Sequence, residues 1–217
     1  MKYSTKQAPP ACLTDWLAQE NEDWQPSFGT LQNPEKSGTH SALLNEQRDV
    51  CAYCGRSLKA DRTDSHIDHF QPQARFPDLA LDYGNFFASC GPSSLPHPSS
   101  KTLPHTCGDA KGNWFDDQFH IKPSDTGCEQ RFTYGTTGEI FATPGDQTAL
   151  KMILHLRLND STLKYERGQI IQEVEQAIAQ GHTSAADEIL LWRTPDPQGR
   201  LPSLGHVAAR YLENEPL

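Results

Sequence analysis

Apolar residues are spaced differently in three stretches of the chain. After Pro9-Pro10, Cys12, Leu13, Trp16 and Leu17 recur at helical spacing and predict a short amphipathic helix ending near Glu22. Residues 24–38 are polar and broken by Pro26, Gly29 and Pro34, which reads as a loop. Thr39 or Ser41 then caps a helix through Val50, with Leu43 and Leu44 facing inward. Beyond Cys54 the pattern shortens. Residues 65–70 read as a strand, Pro72 and Pro77 impose an irregular loop, and 82–90 reads as a short helix or turn carrying Asn85. Residues 91–106 form a long loop with His97 and His105. Alternating apolar positions at 131–134 and 139–142 flank Gly135-Thr136-Thr137-Gly138 as a hairpin. After Pro144 the period becomes helical again, over 147–158, 161–180 (capped by Ser161), 184–193 and 203–213. The expected class is α+β: an N-terminal helical extension over 1–50, a central unit over 51–145, and a C-terminal helical region over 146–217.

Composition narrows the chemistry. The chain has 217 residues, 35% of them apolar, with a formal net charge of -9. Its mean hydropathy is -0.67. A free-standing nucleic-acid binder carries basic excess, because phosphate contacts dominate affinity. An acidic chain that acts on nucleic acid must therefore use a metal as its main cation, concentrate its few Lys and Arg, or borrow a basic surface from a partner. No apolar run reaches the roughly 18 residues of a membrane span, and residues 1–10 lack the apolar segment of a signal peptide. The expected location is cytoplasmic. In that reducing compartment six cysteines read as metal ligands rather than disulfides.

Cys51-Ala52-Tyr53-Cys54 has the bite of a tetrahedral zinc site, and Cys90 and Cys107 are the natural second pair. Cys128 or His105 stands in reserve as fourth ligand. The plainer reading is four thiols packed as small hydrophobes; a redox pair is disfavoured because no βαβ pattern surrounds it. Between the pairs lies His66-Ile67-Asp68-His69. In a regular strand His66 and Asp68 share one face and His69 takes the other, so a bulge is needed to bring Asp68 and His69 together. Phosphodiester hydrolysis needs a base for water and a divalent cation for the developing charge. His69 suits the first role. Asp68 suits ligation of a hard ion such as Mg²⁺ or Mn²⁺, and Asn85 can fix the neighbouring loop or orient the histidine through a carbonyl. Trp114 and Phe115 are expected in the core. Lys101, Lys111 and Lys122 are candidates for a basic rim, and Glu173, Glu175, Asp187 and Glu188 for a solvated acidic face.

These residues resemble the HNH endonuclease superfamily over Cys51–Asn113, in the order C-x-x-C, Asp-His, Asn, Cys, Cys-Gly-x-x-Lys. The chain is more closely similar to the PtuB-like HNH nuclease subunits of Septu-type and retron-associated anti-phage systems. That likeness rests on Met1-Lys2-Tyr3, Cys51–Gly55, His66–Phe70, Pro77–Tyr83, Ala88–Cys90, Lys111–Asn113, Cys128-Glu129 and the 156–167 segment. The resemblance implies a ββα-metal core with a zinc knuckle, His69 as general base, Asp68 on the catalytic metal, and Asn85 as the middle asparagine. It implies a nucleic acid substrate (DNA or RNA), an ABC or SMC-like ATPase partner, and a retron reverse transcriptase–nucleic acid complex as a further associate. In one respect the chain departs: Gly108 stands where many HNH proteins place a metal-binding His or Asn. Asp109, Asn113 or His66 is then the replacement ligand. Two other readings compete, a non-catalytic zinc-binding adaptor and a zinc hydrolase ligating its ion through His66, Asp68 and His69.

Overall fold

Two prolines decide where the N-terminal helices begin. In the computed structural model, which describes residues 1–61, 63–91 and 105–214, α1 (Ala11–Leu17) starts directly after Pro10 and α2 (Glu35–Gln47) directly after Pro34. His97 and Lys101 lie outside the described residues. Helix α2 therefore begins a turn before the expected Thr39 or Ser41 cap. Thr39 sits inside it, its hydroxyl donating to the Glu35 carbonyl at 2.9 Å. Helix α1 stops at Leu17, short of Glu22, because the polar run after it offers no apolar residue to bury on another turn. Helix α1 packs against α2, and Leu13 and Trp16 of the first and Leu43 and Leu44 of the second are buried in one hydrophobic cluster.

The centre is a short antiparallel pair, β1 (Ser65–His69) and β2 (Phe86–Cys90), in register from Ser65↔Cys90 to His69↔Phe86. The 82–90 stretch divides: a 3₁₀ turn takes Tyr83–Asn85 and the rest is strand. Every residue of β2 is buried, so Phe-Phe-Ala-Ser-Cys shows no alternation, and its period could not mark it as a strand. No bulge interrupts β1. Helix α3 (Cys107–Lys111) packs against β2. A second pair, β3 (Phe132–Tyr134) and β4 (Ile140–Ala142), forms the expected hairpin.

Helices α4 (Gln147–His155), α5 (Ser161–Ala179), α6 (Ala185–Arg193) and α7 (Gly205–Asn214) complete the chain. The cap of α5 is Asp160, which accepts from the Thr162 amide at 3.0 Å, one residue before the expected Ser161. The β3–β4 turn is pressed onto α5 at Gly138 and Gly168. A Cβ on Gly138 would stand 2.0 Å from the Lys164 carbonyl oxygen. Buried Arg167 secures this contact, Nε donating to the Gly138 carbonyl at 2.6 Å. Among the described residues there are thus seven α-helices and two two-stranded antiparallel sheets, an α+β fold. One hydrophobic cluster runs from Met1 to Leu212. No described helix is long and apolar enough to cross a membrane.

Glu129 ties the first residues to this body. It accepts from the Lys2 ammonium at 2.8 Å and the Tyr3 amide at 2.9 Å, and from Arg193 at 3.2 Å. Burial works to raise its carboxyl, but the His206 ring, the Lys2 ammonium and the Tyr3 amide outweigh it and hold the group at about 2. A folded-state value below the ordinary 4.5 means the stabilisation is full above pH 4.5 and is lost as pH falls towards 2. Burial holds His206 itself neutral near pH 7, so there the Lys2 ion pair and the Tyr3 amide carry the stabilisation of this carboxylate. Glu129→Gln is expected to flatten the stability–pH curve between pH 4.5 and 2, measured by urea unfolding at each pH. An unchanged acid limb would exclude this carboxylate as its source.

Candidate metal and catalytic site

Four sulfurs converge from three places in the chain. Cys51 and Cys54 lie on the turn after α2, Cys90 ends β2, and Cys107 begins α3. All four are buried, and their Sγ atoms lie within 4.8 Å of one another. Cys54 and Cys90 are 3.8 Å apart. A zinc tetrahedron with bonds of about 2.3 Å has edges of about 3.8 Å, so the thiols present fit that ion. The turn is closed by the Gly55 amide donating to the Cys51 carbonyl at 2.9 Å, and the Cys90 amide donates to the Cys51 sulfur at 3.4 Å. Cys107 takes a left-handed φ of 59°, which a non-glycine residue adopts only under outside constraint. The Leu156 carbonyl, accepting its amide at 2.8 Å, supplies part of that constraint. Without metal, burial raises Cys51, but S–H groups of Cys107, Cys54 and Cys90 outweigh it and draw its thiol below the ordinary value. Cys128 is buried elsewhere, beside the Pro123 carbonyl at 3.7 Å, and His105 is exposed.

The strand pair presents its two faces to different surroundings. On one face, His69 packs edge-on against Phe28 at 4.4 Å and Phe86 at 5.0 Å, and its Nε2 lies 3.0 Å from the Ala80 carbonyl. A carbonyl oxygen only accepts, so Nε2 carries the hydrogen and Nδ1 keeps a lone pair. Burial lowers the His69 pKa, against the opposing pull of Ala80 and Asp68, and keeps the ring neutral. Asn85 explains why that carbonyl is in place. Its amide donates to the Leu79 carbonyl at 3.2 Å and the Gln71 carbonyl at 2.9 Å, while its oxygen accepts from the Gln71 amide at 2.8 Å. The asparagine is a clip on the 71–85 loop, and it acts on the histidine through the neighbouring residue, Ala80. Lys36 of α2 rests over the Phe28 ring at 4.7 Å.

On the other face, Asp68 and His66 meet the start of α3. A Cβ on Gly108 would lie 2.9 Å from His66 Nε2, 2.9 Å from Ser89 Oγ and 3.0 Å from Asp68 Cγ. The space a side chain would fill at position 108 is taken by the His66 ring and the Asp68 carboxylate. His66 Nδ1 faces the Gly91 carbonyl at 3.1 Å, which leaves the Nε2 lone pair on this space. Asp109 Oδ1 stands 3.9 Å from that Nε2. Burial raises the Asp109 carboxyl against the lowering influence of His66. The Gly108 amide donates to Ser89 Oγ at 2.9 Å and pins α3 to β2. Asn113 is exposed beyond the end of α3. His66, Asp68 and Asp109 border this space, while among the described residues the one group of three or more ligand atoms gathered closely enough to hold an ion is the four cysteines.

Three contributors were not legible in the sequence. Tyr53, between the first two cysteines and fully buried, donates its hydroxyl to Asp68 Oδ2 at 2.5 Å. Lys111 lies in the interior rather than on a rim: its ammonium donates to the His69 carbonyl at 2.7 Å and sits 3.4 Å from Asp68 Oδ1. The Ala80 carbonyl is backbone and carries no residue signature. Trp114 stacks on His155 at 4.1 Å, and Phe115 packs on Phe70 and Phe76, which matches the expected packing roles. Tyr53→Phe keeps the ring but strands a buried carboxylate oxygen, an expected loss of about 1–3 kcal/mol by chemical denaturation. Unchanged stability would show that the hydroxyl contributes nothing.

Compared with known proteins, the chain matches no family model and no curated sequence.

Proposed function

We propose that the chain is a metal-dependent phosphodiester hydrolase of the HNH type. The observation that carries this reading is the hold of the Ala80 carbonyl on His69 Nε2, which leaves a neutral imidazole with a lone pair on Nδ1, on the strand face opposite Asp68. A base of this kind takes a proton from the attacking water. The order strand, strand, short helix over a four-thiol cluster supports an HNH-type core. A bound Mg²⁺ or Mn²⁺ would supply positive charge for the phosphorane and the leaving oxygen. His66, Asp68 and Asp109 would hold it, with His66 taking the place left by Gly108. Lys111 lies against one oxygen of Asp68, and the Tyr53 hydroxyl donates to the other and fixes the carboxylate orientation.

The acidic balance supports a partner that brings its own nucleic-acid surface. An ATPase of the ABC or SMC-like class in an anti-phage system, with or without a reverse transcriptase complex, is the partner this reading carries. Incubating the zinc-loaded protein, alone and with such a partner, with DNA and RNA in Mn²⁺ or Mg²⁺ tests the activity. Absence of metal-dependent cleavage in every combination would overturn it. One observation favours a second reading, a zinc-binding adaptor: the buried Lys111 ammonium lies 3.4 Å from Asp68 Oδ1 and puts a cation of the chain's own beside that carboxylate. Calorimetric Mn²⁺ titration separates the two, since an adaptor has no second site abolished by Asp68→Asn.

A further inference from the structure

Helix α6 packs one side along α7 and leaves the other bare. On the packed side Glu188 is buried and accepts from Trp192 Nε1 at 2.9 Å. On the bare side Asp187, Leu190, Leu191 and Thr194 recur at the i, i+3, i+4, i+7 spacing of one helix face. All four are exposed, Leu190 at 67% and Leu191 at 61%. Leucines at that spacing form the ridge by which one helix packs on another.

Beside the ridge lies a mostly apolar hollow of about 440 Å³, walled by Leu191, Trp192, Pro195, Leu201 and Pro202. Its walls are fixed by the chain itself. The Thr194 hydroxyl donates to the Leu190 carbonyl at 2.6 Å, the Leu201 amide to the Arg48 carbonyl at 3.0 Å, and the Arg200 amide to the Asp196 carboxylate at 2.9 Å. An apolar ridge and a preformed apolar hollow therefore stand side by side.

Charge decides what fits them. The ridge starts at a carboxylate, Asp187, and the hollow at its far end is lined by Thr194 and by Arg200, whose side chain is 56% exposed. Both charges have exposed partners within the chain, Ser184 and Asp196, so they set orientation while the leucines supply the attraction. A basic segment would match Asp187 and meet Arg200 with like charge, and an acidic segment would do the reverse. A second α6 running antiparallel matches both ends at once. A two-fold axis between Leu190 and Leu191 sets each Asp187 against the Thr194 and Arg200 end of the other copy. It also sets each Leu190 against the other copy's Leu191, at the hollow. This is the self-complementarity that an isologous interface requires.

We propose that the bare face of α6 joins two copies of this chain, antiparallel about that axis. One helix per copy is a small contact beside the roughly 800 Å² that a standard interface takes from each partner, so the pairing is weak and reversible. It stands independently of the hydrolase reading. Sedimentation of the zinc-loaded chain from about one to several hundred micromolar tests it, and a concentration-dependent shift from monomer to dimer is expected. Leu190→Glu and Leu191→Glu are each expected to weaken the dimer at least tenfold, with unchanged melting curves because both side chains are exposed. Asp187→Arg and Arg200→Asp place like charges against each other in their own dimers, and each alone is expected to pair at least threefold more weakly. Mixed together, the two variants restore both opposite-charge pairs and are expected to dimerise more tightly than either alone. A chain monomeric throughout leaves this face to a different protein and overturns the proposal. So does a dimer that either leucine substitution leaves intact, or a mixture no more dimeric than its components.

Discussion

Replacing His69 with glutamine is expected to lower phosphodiester cleavage about 10²- to 10⁴-fold, the usual contribution of a positioned general base, with zinc content and fold retained. Glutamine is the informative substitute because its amide can still donate to the Ala80 carbonyl. It keeps the loop contact and removes only the basic lone pair. The surroundings are otherwise apolar, Phe28 and Phe86, so no neighbouring side chain there can replace the base. Single-turnover cleavage with Mn²⁺ measures the effect, and zinc analysis with a melting curve checks the fold. A variant cutting at the wild-type rate would remove His69 from the mechanism and leave the adaptor reading standing.

Stripping the metal from the cysteine cluster is expected to abolish cooperative unfolding altogether. The four thiols join the turn after α2, the end of β2 and the start of α3, which no disulfide replaces. Structural zinc contributes an apparent 10–16 kcal/mol in small domains, as much as or more than the 5–15 kcal/mol by which a folded domain is stable. Loss on that scale cannot be absorbed elsewhere. Cys54→Ser is expected to act in the same direction, and the native chain should hold one zinc by elemental analysis. A chelator-treated, zinc-free chain that melts at the original temperature would mean that the four thiols only pack as small hydrophobes.

Asp68 would then lose its support as well. The Tyr53 hydroxyl reaches the carboxylate from the knuckle turn itself, and Lys111 reaches it from the end of the helix that Cys107 begins. The cluster and the candidate catalytic carboxylate are therefore one mechanical unit. Zinc loss should lower any second-site Mn²⁺ binding even at residues that touch no sulfur.

The residue types and spacings of the sequence pointed to the four clustered cysteines and determined the α+β class, the C-terminal helices and the β3–β4 hairpin, because each depends on local period or short-range chemistry. His66 and Asp68 sharing a strand face also follows from the two-residue repeat alone. Only the tertiary structure decided the rest. β2 is buried on both sides, so its pattern carried no period. The caps at Pro34 and Asp160 displaced those expected at Thr39 or Ser41 and at Ser161, because several residues near a helix start can serve and packing chooses among them. The spacing offers Asp109, Asn113 and His66 alike beside Gly108; only the fold shows that the His66 ring fills the glycine's side-chain space and that Asn113 is exposed. Tyr53 and Lys111 lie inside the Cys-x-x-Cys and Cys-Gly-x-x-Lys motifs, but nothing in that spacing directs either at Asp68. Each reaches Asp68 across 15 and 43 residues of chain respectively, a distance that only folding closes.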